Sequence, residues 1–78
     1  MPIAFVCITT EPDSMVEVLK EIRAVEGVEE AQMVYGIYHI VVKVKGETMD
    51  KLKHIITERI RKIDKVRTSL TIMVIESE

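Results

Sequence analysis

The stretch from Val34 to Val44 reads VYGIYHIVVKV, and it is the most informative part of the chain. Two runs rich in β-branched and aromatic residues, which favour extended strands, meet there at a single glycine, Gly36. Glycine tolerates the positive φ that a tight reversal often demands, so the pattern predicts a hairpin that pivots at Gly36. Tyr38 and His39 then lie at the mouth of the hairpin, and they point to opposite faces of the sheet because strand side chains alternate.

Outward from this hairpin, strand-like runs alternate with amphipathic runs in the order β-α-β-β-α-β. The predicted strands are Ile3–Thr9, Val28–Tyr35, Ile37–Lys45 and Val66–Ile75. Each β-α-β half needs a right-handed crossover, which lays its helix on one face of a shared sheet. The order therefore predicts an α+β fold: a ferredoxin-like βαββαβ sandwich, with a four-stranded antiparallel sheet and both helices on one face.

Both amphipathic runs carry helix signals at their ends. Ser14 and Glu17 have capping-box spacing at the start of the first helix, and Gly27 follows its last apolar position. Thr48 is placed to cap the second helix. Apolar residues at helical spacing predict the inward positions, which are Met15, Val18, Leu19, Ile22 and Val25 in the first helix and Met49, Leu52, Ile56, Ile60 and Ile63 in the second.

Size and composition limit the classes of protein that fit. The 78 residues are 47% hydrophobic and 31% charged, which predicts one globular domain over residues 1–78. The net charge of −2 combines charges of both signs, so no concentrated basic surface for nucleic acid is expected. No apolar run approaches the roughly 18 residues that a membrane span needs. Cys7 is the single cysteine, which excludes an intrachain disulfide, and no Cys/His cluster indicates a metal.

The N-terminal sequence and the residue usage suggest where the protein works. The chain begins directly with strand-like sequence and lacks the pattern of an export signal, so we expect a cytoplasmic protein. Abundant Glu, Lys, Ile and Val, with no Asn or Trp, are typical of a thermophile. No pattern indicates a cofactor. A domain of this size buries only about 60% of the surface of its unfolded chain, so oligomerisation is the expected source of further stability.

The strands are apolar on both faces, although two helices cover only one face of the sheet. A face open to water should carry polar residues at alternate positions. In the last strand, however, Leu70 and Ile72 share one face, and Met73 and Ile75 share the other. Leaving such side chains in water costs about 1.5–3 kcal/mol for each one that burial would stabilise. The pattern predicts a homodimer, built by packing the open faces together or by joining sheet edges. A weakly associating, half-apolar face is the alternative.

Hydroxyl groups at the start of the last strand are the second candidate binding feature. Thr68, Ser69 and Thr71 follow Arg67 there. Hydroxyls, a ring donor and backbone N–H groups at a glycine turn are able to bind the carboxylate of a free amino acid, and carbonyl groups to bind its ammonium. Threonine is also a good strand former, so the same residues fit a purely structural role.

The turn, read as apolar residue, Gly, any residue, Tyr and a polar residue, resembles the effector-binding (RAM) domain of the Lrp/AsnC feast/famine transcription regulators. Family members usually carry Gly-x-Tyr-Asp here, whereas this chain has Gly36-Ile37-Tyr38-His39. The resemblance spans essentially the whole chain. It implies dimerisation through the sheets, frequent assembly into octameric rings, and an effector held between neighbouring dimers. The residues that match the turn and the strand start, and so the implied ligand-binding set, are Val34, Tyr35, Gly36, Tyr38, His39, Thr68, Ser69 and Thr71.

The resemblance also implies a function without catalysis. Full-length family members place a DNA-binding domain before this one, and here the sequence starts at the first strand. The implied protein is a stand-alone module that senses an amino acid, assembles with copies of itself, co-assembles with a full-length regulator, and makes no direct contact with nucleic acid.

Two other classes stay open. One is a small dimeric α+β-barrel enzyme that uses His39 and Tyr38 in a cavity between helices and sheet, and the other is a purely structural oligomer. No Ser or Cys lies at a strand-to-helix elbow, and neither histidine has an obvious carboxylate partner, so no catalytic residue is predicted. Geometry discriminates between the classes. An enzyme requires His39 inside an enclosed pocket, an effector domain requires it at a subunit boundary, and a structural oligomer requires no pocket.

Overall fold

A computed structural model, which describes residues 1–75, contains one antiparallel sheet of four strands. The strands are β1 (Ile3–Thr10), β2 (Val28–Met33), β3 (Ile40–Lys45) and β4 (Val66–Met73). Their order across the sheet is β2-β3-β1-β4, so the two halves of the chain interleave at the central strands. The predicted ferredoxin-like arrangement is confirmed.

Two helical segments cover one face of this sheet. Helix α1 (Met15–Arg23) follows a short 3-10 turn at Pro12–Ser14. Helix α2 (Met49–His54) continues without a break into a π-helical segment at Ile55–Ile60. Within residues 1–75 no helix is long and apolar enough to cross a membrane. The core lies between this helical layer and the sheet, and its most buried residues are Ala4, Val6, Ile8, Val18, Ile22, Ile40, Val42, Val44, Leu52 and Ile60.

The spacing of apolar residues in the sequence explains the π-helical segment. Leu52, Ile56 and Ile60 are all buried, and they recur every four residues. An α-helix has 3.6 residues per turn, so residues four apart would drift around its axis and away from the sheet. Widening the turn, as the bond from Arg61 N–H to Ile56 O at 2.9 Å shows, keeps these aliphatics on one side.

The helix ends differ in part from the prediction. The Thr48 cap is confirmed, because its Oγ1 accepts a bond from Lys51 N–H at 3.1 Å. The capping box at Ser14 is wrong: in the described residues its side chain makes no capping hydrogen bond, and the 3-10 turn leads into α1 instead. Helix α1 also ends at Arg23, four residues before Gly27. Met49, predicted to face inward, is 42% exposed on the first turn of α2.

The central hairpin is looser than predicted. Strand β2 ends at Met33 and β3 begins at Ile40, so the predicted extensions to Tyr35 and from Ile37 are wrong. Residues 34–39 form a six-residue loop. The last strand ends at Met73 rather than Ile75, although Val74 N–H still donates to Ile3 O at 3.0 Å.

The face of the sheet without helices, called the open face below, is apolar along β1 and β4 and at one position of β3. Residues of β1 alternate between buried and half-buried, and their partners in β4 alternate between half-buried and exposed. Its apolar residues are Ile3, Phe5 and Cys7 of β1, Val41 of β3, and Leu70 and Ile72 of β4. Leu70 and Ile72 are 45% and 49% exposed. Cys7 is half-buried here.

The part of the open face beside β2 is charged. A bulge leaves Glu29 as an extra residue in β2 between the pairs Val28–Val44 and Glu30–Lys43. Glu29 lies 3.9 Å from Lys43 Nζ and 3.6 Å from Lys45 Nζ. The open face is therefore divided into an apolar side and an ion-paired side.

Gly27 closes the turn before β2 and provides a test of this packing. Its φ is +102°, and an added Cβ would lie 2.8 Å from Ile55 Cδ1 and 3.0 Å from Lys45 O. Gly27→Ala should lower the free energy of unfolding by about 2 kcal/mol or more, because it combines backbone strain with a contact against rigid backbone. Urea titration at a fixed protein concentration measures this loss.

Gly36→Ala is the matched control. Gly36 has a φ of +155°, but an added Cβ would meet no heavy atom of the described chain within 4 Å. The control should lose less stability than Gly27→Ala, and equal losses would contradict the importance of the contact at Gly27.

Candidate functional site

The loop at residues 34–39 projects beyond the end of the sheet. Val34 N–H donates to His39 O at 2.9 Å and closes the base of the loop. Tyr35 and Ile37, beyond that bond, are almost fully exposed. Gly36 adopts its positive φ at the tip between them, a conformation that residues with a Cβ rarely take. The loop thus exposes two large side chains to solvent. In an isolated subunit their apolar surface adds nothing to the stability of the fold.

His39 is held at the base of the loop by two hydrogen bonds to β1. Its backbone N–H donates to Ile8 O at 2.8 Å. Its ring nitrogen Nδ1 accepts a bond from Thr10 N–H at 3.1 Å. The imidazole is half-buried. Its bond to Thr10 connects the end of β1 to the residue before β3, just beyond the last regular pair of the ladder. Tyr38, the neighbouring residue, is also half-buried.

The sheet order brings this loop and the start of β4 to the same end of the molecule. Strand β1 is antiparallel to both β3 and β4, so its last residues adjoin the first residues of both strands. Thr9 pairs with Thr68 in β4, while Thr10 contacts His39 on the other side. The two sequence segments predicted to bind ligand are therefore separated only by β1.

The hydroxyl residues of β4 do not act as one patch. Thr68 lies opposite Thr9 on the open face, where the two Oγ1 atoms are 2.6 Å apart. Ser69 and Thr71 pair with Ile8 and Val6, which are buried on the helical side. Thr68 thus lies near the loop on the open face, whereas Ser69 and Thr71 face the other way because strand side chains alternate.

Two threonines that the sequence reading missed complete this end of the sheet. Thr9 Oγ1 accepts a bond from Thr68 N–H at 3.1 Å, and buried Thr10 supplies the N–H that holds His39. A bulge follows at once, since Thr10 pairs with Val66 and leaves Arg67 as the extra residue of β4. Two consecutive polar residues at the end of an apolar strand were the signal available in the sequence.

Charged groups surround a cleft next to this end. The cleft has a volume of about 660 Å³ and is lined by residues 11–14 and 64–67. Lys65 adopts a φ of 77° at its edge, and its carbonyl accepts a bond from Glu11 N–H at 3.1 Å. Arg67 Nε lies 4.0 Å from the Glu11 carboxylate. The cleft therefore carries both charge signs.

A second cleft, of about 740 Å³, lies at the opposite end of the sheet. Glu26, His54 and Arg59 contribute to its lining. Glu47 and Lys51 form an exposed ion pair there at 2.7 Å. The hydrogen bond from Lys51 lowers the pKa of Glu47 and, reciprocally, raises the pKa of Lys51.

The surroundings of His39 bear on the enzyme class that the sequence left open. Neither of the two clefts described above is lined by His39 or Tyr38. The space between helices and sheet is filled by aliphatic side chains. Over residues 1–75, His, Cys, Asp and Glu side chains form no group of three that would hold a metal ion.

Comparison with known proteins gives one family. The model of the Lrp/AsnC ligand binding domain matches residues 3–78. No curated protein matches the chain. Among solved structures, FFRP-DM1 is 36% identical with a TM-score of 0.92, and the match covers 96% of this chain and 100% of that chain.

Two further structures are similar. The hypothetical protein PHS023 from Pyrococcus horikoshii is 35% identical with a TM-score of 0.91, and the match covers 99% of this chain and 93% of that chain. AsnC from E. coli is 25% identical with a TM-score of 0.89, over 97% of this chain but only 52% of that chain. This chain thus corresponds to about half of AsnC.

The bonds at Thr9 give a matched pair of variants. Thr9→Val removes the acceptor of Thr68 N–H, so the Thr68 amide should exchange its hydrogen roughly fivefold faster, as expected for a net loss of about 1 kcal/mol. Thr68→Val removes the contact between hydroxyls but keeps the N–H bond to Thr9, so the amide of residue 68 should stay protected. Amide exchange followed by NMR measures both, and equal protection in the two variants would contradict the assigned bond.

Proposed function

The chain belongs to the Lrp/AsnC ligand-binding domain family, and on that premise we propose that it is a self-assembling module that binds a free amino acid between subunits. The observation that carries the proposal is the open face, whose apolar side is covered by no residue of the subunit between positions 1 and 75. The family is one of regulatory ligand-binding domains, so catalysis plays no part in the proposed role.

A second copy of this chain is the proposed occupant of the open face. Leu70 and Ile72 are about half exposed, and covering them contributes roughly 1 kcal/mol each at about 25 cal/mol per Å² of apolar area. A two-fold axis presents each of these residues twice, so the contribution doubles. The ion-paired side, with Glu29 between Lys43 and Lys45, stays hydrated at the rim.

The ligand is proposed to lie where the loops of neighbouring dimers meet, in a ring of dimers such as an octamer. Exposed Tyr35 and Ile37 support this, since a neighbouring subunit would remove their apolar surface from water. One protein that shares the fold, a transcriptional regulator from Neisseria meningitidis solved as a complex with L-Met, is 13% identical with a TM-score of 0.83, over 96% of this chain and 50% of that chain. The proposed ligand set is Val34, Tyr35, Gly36, Tyr38, His39 and Thr68, with Thr9 added by the geometry and Thr10 positioning His39. Ser69 and Thr71 of the predicted set are left out because their side chains face the helical side.

A full-length regulator is the proposed partner. This chain matches about half of AsnC, so the longer protein contains a domain of the same fold, to which the open face would bind in the proposed pairing. We place the encounter in the cytoplasm, where free amino acids and regulators are both present. Pairing through the open face would give mixed assemblies of the two proteins. The ligand would control the mixture through its different affinities for assembled and dissociated forms.

Leu70→Lys tests the open face. A lysine there leaves a charge inside the dimer interface, so the dissociation constant of the dimer should rise at least tenfold. Sedimentation velocity over a range of concentrations measures the change. Val16→Lys is the control, because Val16 is 55% exposed on α1, on the helical side. Equal dissociation in both variants, or a monomeric wild type at every concentration, would refute the proposed dimer.

Amino-acid binding is tested by native mass spectrometry and thermal shift. At least one of the twenty amino acids, at millimolar concentration, should shift the distribution of assemblies and raise the thermal midpoint, because a ligand held between subunits binds the assembled form preferentially. Tyr38→Ala should reduce the shift, while Val16→Ala, on the helical side, should not. The absence of any response to all twenty would contradict the sensing role.

A further inference from the structure

The tautomer of His39 follows from one hydrogen bond. Thr10 N–H donates to Nδ1 at 3.1 Å, so Nδ1 must present a lone pair. A neutral imidazole carries its single proton on the other nitrogen, and here that nitrogen is Nε2. The second bond, from the backbone N–H of His39 to Ile8 O at 2.8 Å, keeps the residue from moving away from β1.

The Nε2–H group is free to bind a ligand. No described residue forms a hydrogen bond with Nε2. Across residues 1–75 no buried side-chain nitrogen or oxygen lacks a hydrogen-bond partner, so an unpaired Nε2 must be accessible to solvent. His39 therefore exposes a donor whose orientation is set by its other nitrogen.

The Thr9–Thr68 pair supplies a second donor. Thr9 Oγ1 accepts a bond from Thr68 N–H, and the two hydroxyl oxygens are 2.6 Å apart. One hydroxyl proton must lie between the two oxygens, and whichever residue supplies it, the proton of the other hydroxyl remains available. Thr9 and Thr10 are consecutive, so both donors lie beside the same end of β1.

We propose, building on the function proposed above, that this end of the sheet binds the carboxylate of the ligand, with His39 Nε2–H as the specificity-determining donor. An ionised aspartate, the residue usual at this position in the family, is an acceptor only and suits an ammonium group. His39 reverses that polarity. The ligand class is therefore small carboxylic acids, including amino acids and the corresponding acids that lack an ammonium group.

The tautomer is measured directly by ¹⁵N NMR of the imidazole in alkaline buffer. His54→Gln removes the other histidine, which is exposed on α2 away from this site, so the remaining ring signals belong to His39. The expected spectrum shows a protonated Nε2 and an unprotonated Nδ1. A protonated Nδ1, or rapid exchange between the two tautomers, would overturn the proposal.

Ligand selectivity is measured with matched probes. The probes are the twenty L-amino acids, the des-amino carboxylic acid of each, and the α-carboxamide of each. Wild type should bind the carboxamide roughly tenfold to a hundredfold more weakly than the amino acid, as expected for the loss of a hydrogen bond to a charged group. Loss of the ammonium group should weaken binding less than loss of the carboxylate.

Three variants of His39 separate the two ring nitrogens. His39→Gln places an amide donor near the position of Nε2 and should keep the preference for carboxylate. His39→Asn places an acceptor near Nδ1, keeps the bond from Thr10, and should lose the preference. His39→Asp should reverse the preference, so that loss of the ammonium group weakens binding more than loss of the carboxylate. Equal selectivity in all four proteins would overturn the role of His39 while leaving amino-acid sensing intact, and no binding of any probe by wild type would overturn both.

Discussion

A four-stranded sheet with two helices has one face that the helices do not cover, and this constraint underlies the rest of the structure. The central strands β1 and β3 bury alternate residues completely on the helical side. Their other side is built from Phe5, Cys7 and Val41, and β4 adds two half-exposed aliphatics. Fourteen hydrophobic residues are buried in the core of the described chain, which is modest for a stable domain. This modest core is the physical reason for proposing a second copy as a further source of stability.

Sheet order then determines where a ligand site can form. After β1 the chain forms α1 and later returns to the sheet. Strands β3 and β4 then lie on the two sides of β1. As a result the end of β1 is the place where the loop at residues 34–39 and the beginning of β4 come together. Thr9 contacts the beginning of β4 through its hydroxyl group. Thr10 contacts the loop through its backbone N–H. The bulge at Arg67 ends regular pairing there and turns the start of β4 toward Glu11.

His39 connects the fold to the chemistry of the site. The hydrogen bond that one ring nitrogen of a histidine makes sets which nitrogen carries the proton, and here a backbone N–H donates to Nδ1. In the proposed role, His39 would bind its ligand through the fixed orientation of Nε2–H rather than through net charge.

The sequence by itself determined the element order, the two helix faces and the existence of an apolar open face, because these depend on periodicity within single segments. Leu52, Ile56 and Ile60 predicted the buried side of the second helical segment, from α2 into the π-helical turns, for that reason, and Thr48 predicted the cap of α2. The family pattern at Gly36 and Tyr38 also lies within one segment. Tertiary structure alone decided that Ser14 does not cap α1, that the hairpin opens into a six-residue loop, and that Ser69 and Thr71 face away from Thr68. It alone placed Thr10 against His39, since that bond joins residues 29 positions apart and depends on strand register, which local propensity does not encode.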